Sequence, residues 1–252
     1  MPASAIEQAL QRAETVRLFP SAAMRIQSVA TDSRSSLADL ERAVALDAAL
    51  AALLLKLANS AYYGMPRGVA TLRQAIQVLG FRATQDLALA LALLSLGHSA
   101  HPLRKELTRH SMRTGAAAQS LARSSRSADP GEAFVAGLVH DIGALLMLEL
   151  WPGQSEAILR AQEPDRRLGA EHAAFGFDHA LLGAACLERW SLPPSICAAV
   201  RGHHDSEPPA ASGLASAVWM ANALDEGHAV PGLAELMRAQ ALAAMEQAPE
   251  LD

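Results

Sequence analysis

Apolar positions along this chain recur at helical spacing, in blocks that are interrupted by glycine, proline and residues that cap helices. Ser36 and Asp39 form a capping-box pattern ahead of a helix through Leu46, and Asp47 caps a short apolar helix over residues 48–58. No stretch has the alternating, β-branched pattern of a strand. The pattern therefore predicts an all-α protein.

The same signals predict the remaining helices. Helices are expected over residues 3–16, 71–80, 83–97 and 102–124, and others are expected to begin at Asp129–Pro130, Pro152, Pro164, Asp178, Pro194, Ser212 and Pro231. The segment over residues 83–97 is the most apolar, so it is predicted to lie in the core. We predict a compact multi-helical bundle with a loose division near residue 100, in which residues 1–100 and 101–252 pack as one unit.

Composition and charge narrow the class of protein. Hydrophobic residues make up 51% of the 252 residues and aromatic residues only 4%, so the core must be packed mainly by Ala, Leu, Val and Ile. Ala and Leu are strong helix formers, which supports the all-α prediction. A formal net charge of -5 argues against nucleic acid as a partner, because that role needs clustered Lys and Arg.

The location of the protein is predicted from what the sequence lacks. Residues 1–10 do not have the basic start and apolar block of a secretory signal, and the longest apolar run, Leu87–Leu94, is too short to span a bilayer. Cys186 and Cys197 have apolar neighbours and are expected to be buried thiols, neither a disulfide nor metal ligands. We therefore expect a cytoplasmic protein with no membrane partner.

The candidate chemistry centres on His140 and Asp141, which end an apolar helical run. An imidazole nitrogen and a carboxylate oxygen in one small volume suit Zn, Mn or Fe. Further candidate ligands stand on other predicted helices, and these are His110, His179, His203 and His204. Metal sites in helical bundles draw their ligands from facing helices, so these six residues are the candidate ligands for one or two divalent metal ions.

Each candidate ligand also has an ordinary structural interpretation. His140 and Asp141 can form a hydrogen bond at the end of a helix, and a lone histidine such as His110 can face solvent. An imidazolium at the C-terminal end of a helix suits the helix dipole, which would explain His203 or His204. Glu171 can either support His179 or lie on a solvated helix face.

The residues around these histidines carry a family resemblance. The pattern resembles the HD superfamily of metal-dependent phosphohydrolases, and the whole chain resembles the HDOD domain, the HD-related output domain of bacterial signalling proteins. The matching segments are Leu46–Gly64, Ala75–Gly80, Ala136–Gly143, His179–Ala184, Trp190–Pro193 and His203–His204. The resemblance covers residues 19–223. It implies an all-α fold with an N-terminal helical part and an HD-like C-terminal part, and a regulatory or scaffolding role.

The chain departs from the catalytic HD pattern at Asn222. Catalytic HD proteins have a second Asp on a late helix, and the resemblance places Asn222 at that position as an altered ligand. An amide oxygen is neutral and therefore a poorer partner for a divalent cation than a carboxylate. The departure is expected to weaken the metal site.

A second candidate site lies in the segment NSAYYGMPRG, residues 59–68. Tyr62, Tyr63 and Arg67 could stack on a partner protein or nucleotide, with Asn59 at the start of this possible partner loop. The alternative is structural, with Asn59 and Gly64 shaping a turn and one tyrosine filling the core. The structural interpretation is the preferred one.

Two functions are compatible with these residues. The preferred one is a bacterial signal-transduction module that binds a signalling protein, with a nucleotide as a further possible ligand, and that lacks catalysis. The alternative is a metal-dependent phosphohydrolase acting on a nucleotide or cyclic dinucleotide. A DNA-linked regulator is disfavoured by the charge. No receiver, cyclase or DNA-binding segment is recognised, so the partner is expected to be another chain.

Overall fold

The computed structural model of the protein describes residues 4–15, 18, 20–59, 68–95, 101–161, 164–207 and 213–248. These residues form helices and the turns that connect them, and none of the described residues lies in a strand. The prediction of an all-α fold is confirmed.

The helices before residue 97 are α1 (Ala5–Thr15), α2 (Ser21–Thr31), α3 (Leu37–Ala45), α4 (Ala48–Ala58), α5 (Leu72–Leu79) and α6 (Phe81–Leu94). Those after it are α7 (Pro102–Ser125), α8 (Pro130–Val139), α9 (Ile142–Leu150), α10 (Pro152–Ala161), α11 (Pro164–Phe175), α12 (His179–Arg189), α13 (Pro194–Arg201), α14 (Gly213–Asp225) and α15 (Glu235–Glu246).

The helices group into two compact units, each with its own core. In the first unit, which contains α2–α6, α2 packs on α3 and α6, and α4 packs on α5. Its interior is filled by fully buried aliphatic side chains, which are Ile26, Leu40, Leu54, Ile76 and Leu93. Burial of each such side chain contributes about 1.5–3 kcal/mol, so aliphatic packing is what holds this unit together.

The second unit contains α1 and α7–α15 and carries the candidate metal ligands. Its longest helix, α7, packs against α8, α14 and α15. The first helix, α1, packs on α9 and α12 through a small apolar face formed by Ala9, Leu10 and Ala13. Residues 5–15 therefore group with helices far along the chain, an arrangement that a division near residue 100 does not anticipate.

Most helix starts follow the capping signals in the sequence. Ser36 and Asp39 form a capping box at α3, and the Thr71 side chain accepts a hydrogen bond at the start of α5. Several boundaries differ from the prediction, and α6 begins at Phe81 instead of residue 83. The helix α2 was not predicted, α7 is capped by the ring of His101, whereas Ser99 lies outside the described residues, and α15 begins at Glu235 instead of Pro231.

The helices α8 and α9 form an apolar segment, Pro130–Leu150, that is long and apolar enough to cross a bilayer. In the structure 94% of its most apolar window is buried against the rest of the protein. Such burial is typical of the core helix of a soluble protein. The segment places His140 and Asp141 at the junction of α8 and α9, inside the core.

Two close helix contacts fix the position of this junction. A Cβ atom at Gly137 of α8 would lie 2.7 Å from the Cα atom of Gly115 in α7. A Cβ atom at Gly143 of α9 would lie 2.7 Å from the backbone nitrogen of Gly183 and would overlap the carbonyl oxygen of His179. Only glycine permits these approaches, and they bring α7, α9 and α12 close to the junction.

Candidate metal centre

The predicted ligands come from different helices of the second unit and meet in one place. His140 ends α8 and Asp141 follows it, while His179 is the first residue of α12. His203 and His204 lie in the turn that follows α13. Imidazole nitrogens and carboxylate oxygens of these residues and of His110 form two groups, each with its atoms within 4.8 Å of one another.

Two of the histidine rings are held by backbone carbonyl groups through their Nδ1 atoms. The Nδ1–H group of His140 donates to the carbonyl oxygen of Gly137 at 2.7 Å, and that of His203 donates to the carbonyl oxygen of Val200 at 2.6 Å. A carbonyl oxygen can only accept, so Nδ1 must carry the proton and Nε2 of the neutral ring is left with a lone pair. Metal-ligating histidines have this arrangement.

His179 is held in the same way by a carboxylate. The Nδ1–H group of His179 donates to Glu171 Oε2 at 2.7 Å, and the backbone N–H of His179 donates to the same oxygen at 2.9 Å. Glu171 is only 3% exposed, so the interpretation of a solvated helix face does not hold for it. Its place behind a candidate ligand is that of a residue that orients the ring.

The free sides of these rings face Asp141. The Oδ1 atom of Asp141 lies 3.3 Å from His179 Nε2, 3.5 Å from His203 Nε2 and 3.8 Å from His140 Nε2. Three of these atoms, Asp141 Oδ1 and the Nε2 atoms of His179 and His203, are buried and make no hydrogen bond to any described residue. Buried polar atoms are almost always partnered, so these three atoms form a candidate binding site for a cation.

The spacing of these atoms fits a transition metal. Two ligand atoms that are each about 2.0–2.2 Å from one ion lie roughly 3.0–3.5 Å apart. Asp141 Oδ1 has this separation from the Nε2 atoms of His179 and His203, and the mixture of imidazole and carboxylate suits Zn, Mn or Fe. A bound ion would be held by these three residues, with His204 beside them in the same group.

His204 completes this side of the cluster. Its ring centre lies 4.2 Å from that of His203 and 5.0 Å from that of His179. Burial and the neighbouring imidazoles of His203 and His179 keep the pKa of His204 far below its ordinary value. The ring is therefore neutral and able to coordinate.

His110 has different surroundings. Its Nδ1–H group donates to Asp225 Oδ2 at 2.6 Å, and its Nε2 atom lies 3.0 Å from Asn222 Oδ1 and 3.0 Å from His140 Nε2. Asp225 is in turn held by Arg113 at 2.5 Å. Both ring nitrogens of His110 thus have hydrogen-bond partners, in contrast to the unpartnered Nε2 atoms of His179 and His203.

The electrostatics of the cluster follow from burial and from Asp141. Burial lowers the pKa of His140 to about 3. Burial also opposes the charged form of His179, but Glu171 and Asp141 outweigh it and raise the pKa of His179 to about 10. Against its own burial penalty, Asp141 is kept ionised because the surrounding imidazoles hold its pKa well below the ordinary value.

Two cavities connect the cluster with solvent. One, the His204 cavity, has a volume of about 500 Å³ and is lined by His203, His204, Trp219, Asn222 and Glu226 among others. The other, the His110 cavity, has a volume of about 200 Å³ and its lining includes His110, Asp141, Arg167 and Glu226. Water and small ligands can therefore reach the cluster.

Sequence reasoning missed three residues that shape the centre, which are Arg113, Asp225 and Glu226. Burial and the nearby Asp141 carboxylate raise the pKa of Glu226. Asp225, the last residue of α14, and Glu226, which follows it, stand three and four positions after Asn222 and so at helical spacing from it. The helical spacing from Asn222 was the signal that could have found them.

The possible partner loop is described only at its first residue. Asn59 Nδ2 donates to the carbonyl oxygens of Leu55 and Val69 at 2.9 and 2.8 Å, and the backbone N–H of Val69 donates to Asn59 Oδ1 at 2.6 Å. These bonds tie the end of α4 to the approach of α5. Tyr62, Tyr63 and Arg67 lie outside the described residues, so their role in binding stays a prediction.

Comparisons with known proteins agree with this fold. The family model of the HDOD domain matches residues 16–206. An uncharacterized protein of Treponema pallidum (strain Nichols) is 28% identical over 199 residues, which are 77% of this chain and 38% of that protein. The chain therefore spans well under half the length of this curated relative.

Two solved structures have the same fold. A protein of Shewanella amazonensis SB2B, provisionally named a phosphohydrolase, has a TM-score of 0.69 at 23% identity, over 97% of this chain and 98% of that one. An HDOD domain protein of Geobacter sulfurreducens has a TM-score of 0.65 at 22% identity, over 96% and 89%. These likenesses concern the fold alone.

The fold and the His-Asp cluster define an all-α protein with a candidate metal centre between its helices. Since the family model covers more than half of its residues, this chain belongs to the HDOD domain family. The recognition from the histidine pattern and its surrounding segments is thereby confirmed.

Proposed function

We propose that the protein is a cytoplasmic regulatory HDOD module that binds one divalent metal ion, Fe, Mn or Zn, and acts by contact with a signalling protein. The observation that supports metal binding is that Asp141 Oδ1, His179 Nε2 and His203 Nε2 converge and have no hydrogen-bond partner among the described residues. The Nδ1 atoms of these two rings and of His140 are held by Glu171 or by backbone carbonyls, so the rings are oriented before an ion arrives. An ion would displace the Nε2 proton that His179 carries at its raised pKa.

The lack of catalysis is supported by the residues that would face a substrate. Asn222 puts a neutral amide next to His110, where a carboxylate would add charge for a second ion. Among the described residues that line the His204 cavity there is no Lys or Arg, and Asp205, Glu207 and Glu226 are acidic. A phosphate ester entering this cavity would meet negative charge, which disfavours phosphoester hydrolysis.

The alternative function, a metal-dependent phosphohydrolase, is favoured by one observation. The cluster borders two cavities that open to solvent, and Arg167 in the His110 cavity offers a cationic group to an anion. A bound divalent ion would supply positive charge and lower the pKa of nearby water. A nucleotide is the corresponding substrate or, for the regulatory module, a second ligand.

Metal analysis of the purified protein tests the proposal. We expect close to one Zn, Mn or Fe per chain after loading and desalting, with loss of the ion in Asp141→Ala and His203→Ala and retention of most of it in His110→Ala. The last variant is the matched control, because it removes an imidazole whose nitrogens are already partnered. Absence of metal from the loaded wild-type protein would refute the metal-binding function.

Activity of the same samples separates the two functions. The metal-loaded protein is incubated with bis(p-nitrophenyl) phosphate and with cyclic dinucleotides, with Asp141→Ala as the control for contaminating enzymes. We expect no hydrolysis above that of the variant. Hydrolysis that needs both the ion and Asp141 would contradict the regulatory function and support the phosphohydrolase function.

A further inference from the structure

The ion centre has a charge that its nearest ligands do not balance. This inference rests on the proposed function, in which a divalent ion lies between Asp141, His179 and His203. The imidazoles of metal ligands are neutral and the Glu171 carboxylate is separated from the ion by the ring of His179, so Asp141 is the only anionic group next to the ion in a buried site. A buried net charge is unfavourable, so a second anionic group is expected close to the ion.

The other nearby carboxylates are engaged elsewhere or are exposed to solvent. Asp225 is 2.5 Å from the guanidinium of Arg113 and also accepts from His110. Glu171 lies behind the ring of His179, from which it accepts two hydrogen bonds, and so does not reach the ion. Asp205 and Glu207 are exposed at the rim of the His204 cavity, where solvent screens their charges.

Glu226 differs from these carboxylates in position. It directly follows α14 and is half-buried. It lines the His204 cavity together with His203, and it lines the His110 cavity together with Asp141. The amide Nδ2–H group of Asn222 is 3.4 Å from Glu226 Oε2, and His228 Nε2 is 3.7 Å from the same oxygen. Arg167 lies across the His110 cavity.

We propose that Glu226 is the second carboxylate of the metal centre and balances the charge of the ion held by Asp141, His179 and His203. It acts as a positioning and charge-balancing residue from the cavity side, since its oxygens do not belong to the groups of atoms close enough for direct ligation. The Asn222 amide donates toward it and so orients the carboxylate. Glu226 is the acidic residue that the two cavities have in common.

The expected consequence is a loss of ion affinity when the charge of Glu226 is removed. Residues behind the direct ligands commonly change metal affinity by about 10–100-fold when they are replaced. Glu226→Gln keeps the size of the side chain and its contact with Asn222 while removing the charge, so we expect Zn²⁺ to bind about 10-fold more weakly or worse. Glu207→Gln makes the same chemical change at the exposed rim, and we expect its affinity to stay within about 2-fold of wild type.

A charge-swap variant provides the rescue. N222D/E226Q moves one negative charge by one helical turn, toward His110, and keeps the net charge of the centre. We expect the affinity of this double variant to return toward the wild-type value. Asn222→Asp alone measures what the added carboxylate contributes by itself, and a double variant that binds no more tightly than Glu226→Gln would show that Glu226 does not act through its charge.

The experiment is a Zn²⁺ competition titration of the whole chain against a fluorescent chelator, with thermal unfolding of each metal-free variant as a check on folding. Weak binding in Glu226→Gln, wild-type binding in Glu207→Gln and recovery in N222D/E226Q support the proposal. Equal affinity of Glu226→Gln and wild type overturns it and leaves the proposed metal function intact. Absence of Zn²⁺ binding in the wild type overturns both the role of Glu226 and the proposed metal function. This result differs from equal binding by wild type and Glu226→Gln, so the two failures can be told apart.

Discussion

The Oε2 atom of Glu171 accepts two hydrogen bonds from His179, one from the ring at 2.7 Å and one from the backbone at 2.9 Å. The first bond fixes the tautomer of the ring and the second fixes the start of α12, so His179 Nε2 points at Asp141, 3.3 Å away. One carboxylate on α11 thus couples the beginning of a helix to the geometry of the candidate metal centre.

Replacement of Glu171 is therefore expected to affect both metal binding and stability. In Glu171→Ala two buried donors of His179 lose their acceptor, which costs about 1–3 kcal/mol each in the free energy of unfolding. We also expect Zn²⁺ affinity to fall about 10–100-fold. Glu171→Gln keeps one accepting oxygen, so its stability and Zn²⁺ affinity should lie between those of the wild type and those of Glu171→Ala. Wild-type Zn²⁺ affinity in Glu171→Ala would contradict the orienting role.

Gly143 should not tolerate a methyl group. In Gly143→Ala the new Cβ atom would overlap the carbonyl oxygen of His179 and force α9 and α12 apart. We expect a loss of at least about 1–3 kcal/mol in urea unfolding, together with a loss of bound metal, because His179 moves with α12. The control is Gly153→Ala in α10, where no atom lies within 4 Å of the added Cβ and stability should be unchanged or higher.

Asn59 is expected to be a stability residue of the α2–α6 unit. Its side chain makes three hydrogen bonds to backbone groups of Leu55 and Val69, and its removal in Asn59→Ala should cost about 1–3 kcal/mol in urea unfolding. Asn59→Asp keeps the acceptor for Val69 but places an oxygen against two carbonyls, so it should be no more stable than the alanine variant. Wild-type stability of both variants would contradict this stabilising role and leave partner binding as the interpretation of Asn59.

The two cysteines should be inert in the native protein. Burial raises the pKa of Cys186 to about 12 and that of Cys197 to about 11, and only the thiolate reacts with alkylating reagents. At pH 8 we expect mass spectrometry to find almost no iodoacetamide adduct on the native chain and two adducts after denaturation. Rapid native labelling at pH 8 would show that these thiols are accessible.

The same shifts predict a pH dependence of stability. A thiol whose pKa is higher in the folded state than in the unfolded state contributes stability that is complete below pH 9. This contribution decreases as the pH rises from 9 toward the folded values of about 11 and 12. Replacement of both cysteines by alanine should flatten this part of the stability curve, measured by urea unfolding between pH 8 and 10.5.

The sequence alone determined the helical class, the capping signals and the identity of the six candidate ligands. Local chemistry is sufficient for these, because a capping box such as Ser36 with Asp39 acts within one turn of chain. The His-Asp pair was recognisable because two coordinating groups are adjacent at the end of an apolar run. The boundaries of α2, α7 and α15 were less predictable, since no strong capping residue marks α2 or α15 and a histidine caps α7.

Only the tertiary structure decided which ligand atoms are free and which are occupied. Nothing in the sequence distinguishes His110 from His203 as a candidate ligand. In the structure, Asp225 and Asn222 of α14 contact the two ring nitrogens of His110, while His203 Nε2 faces Asp141. The approach of α9 to α12 through Gly143 brings His179 to the same carboxylate. Such distances depend on how distant helices pack, and packing depends on long-range contacts that no local pattern encodes.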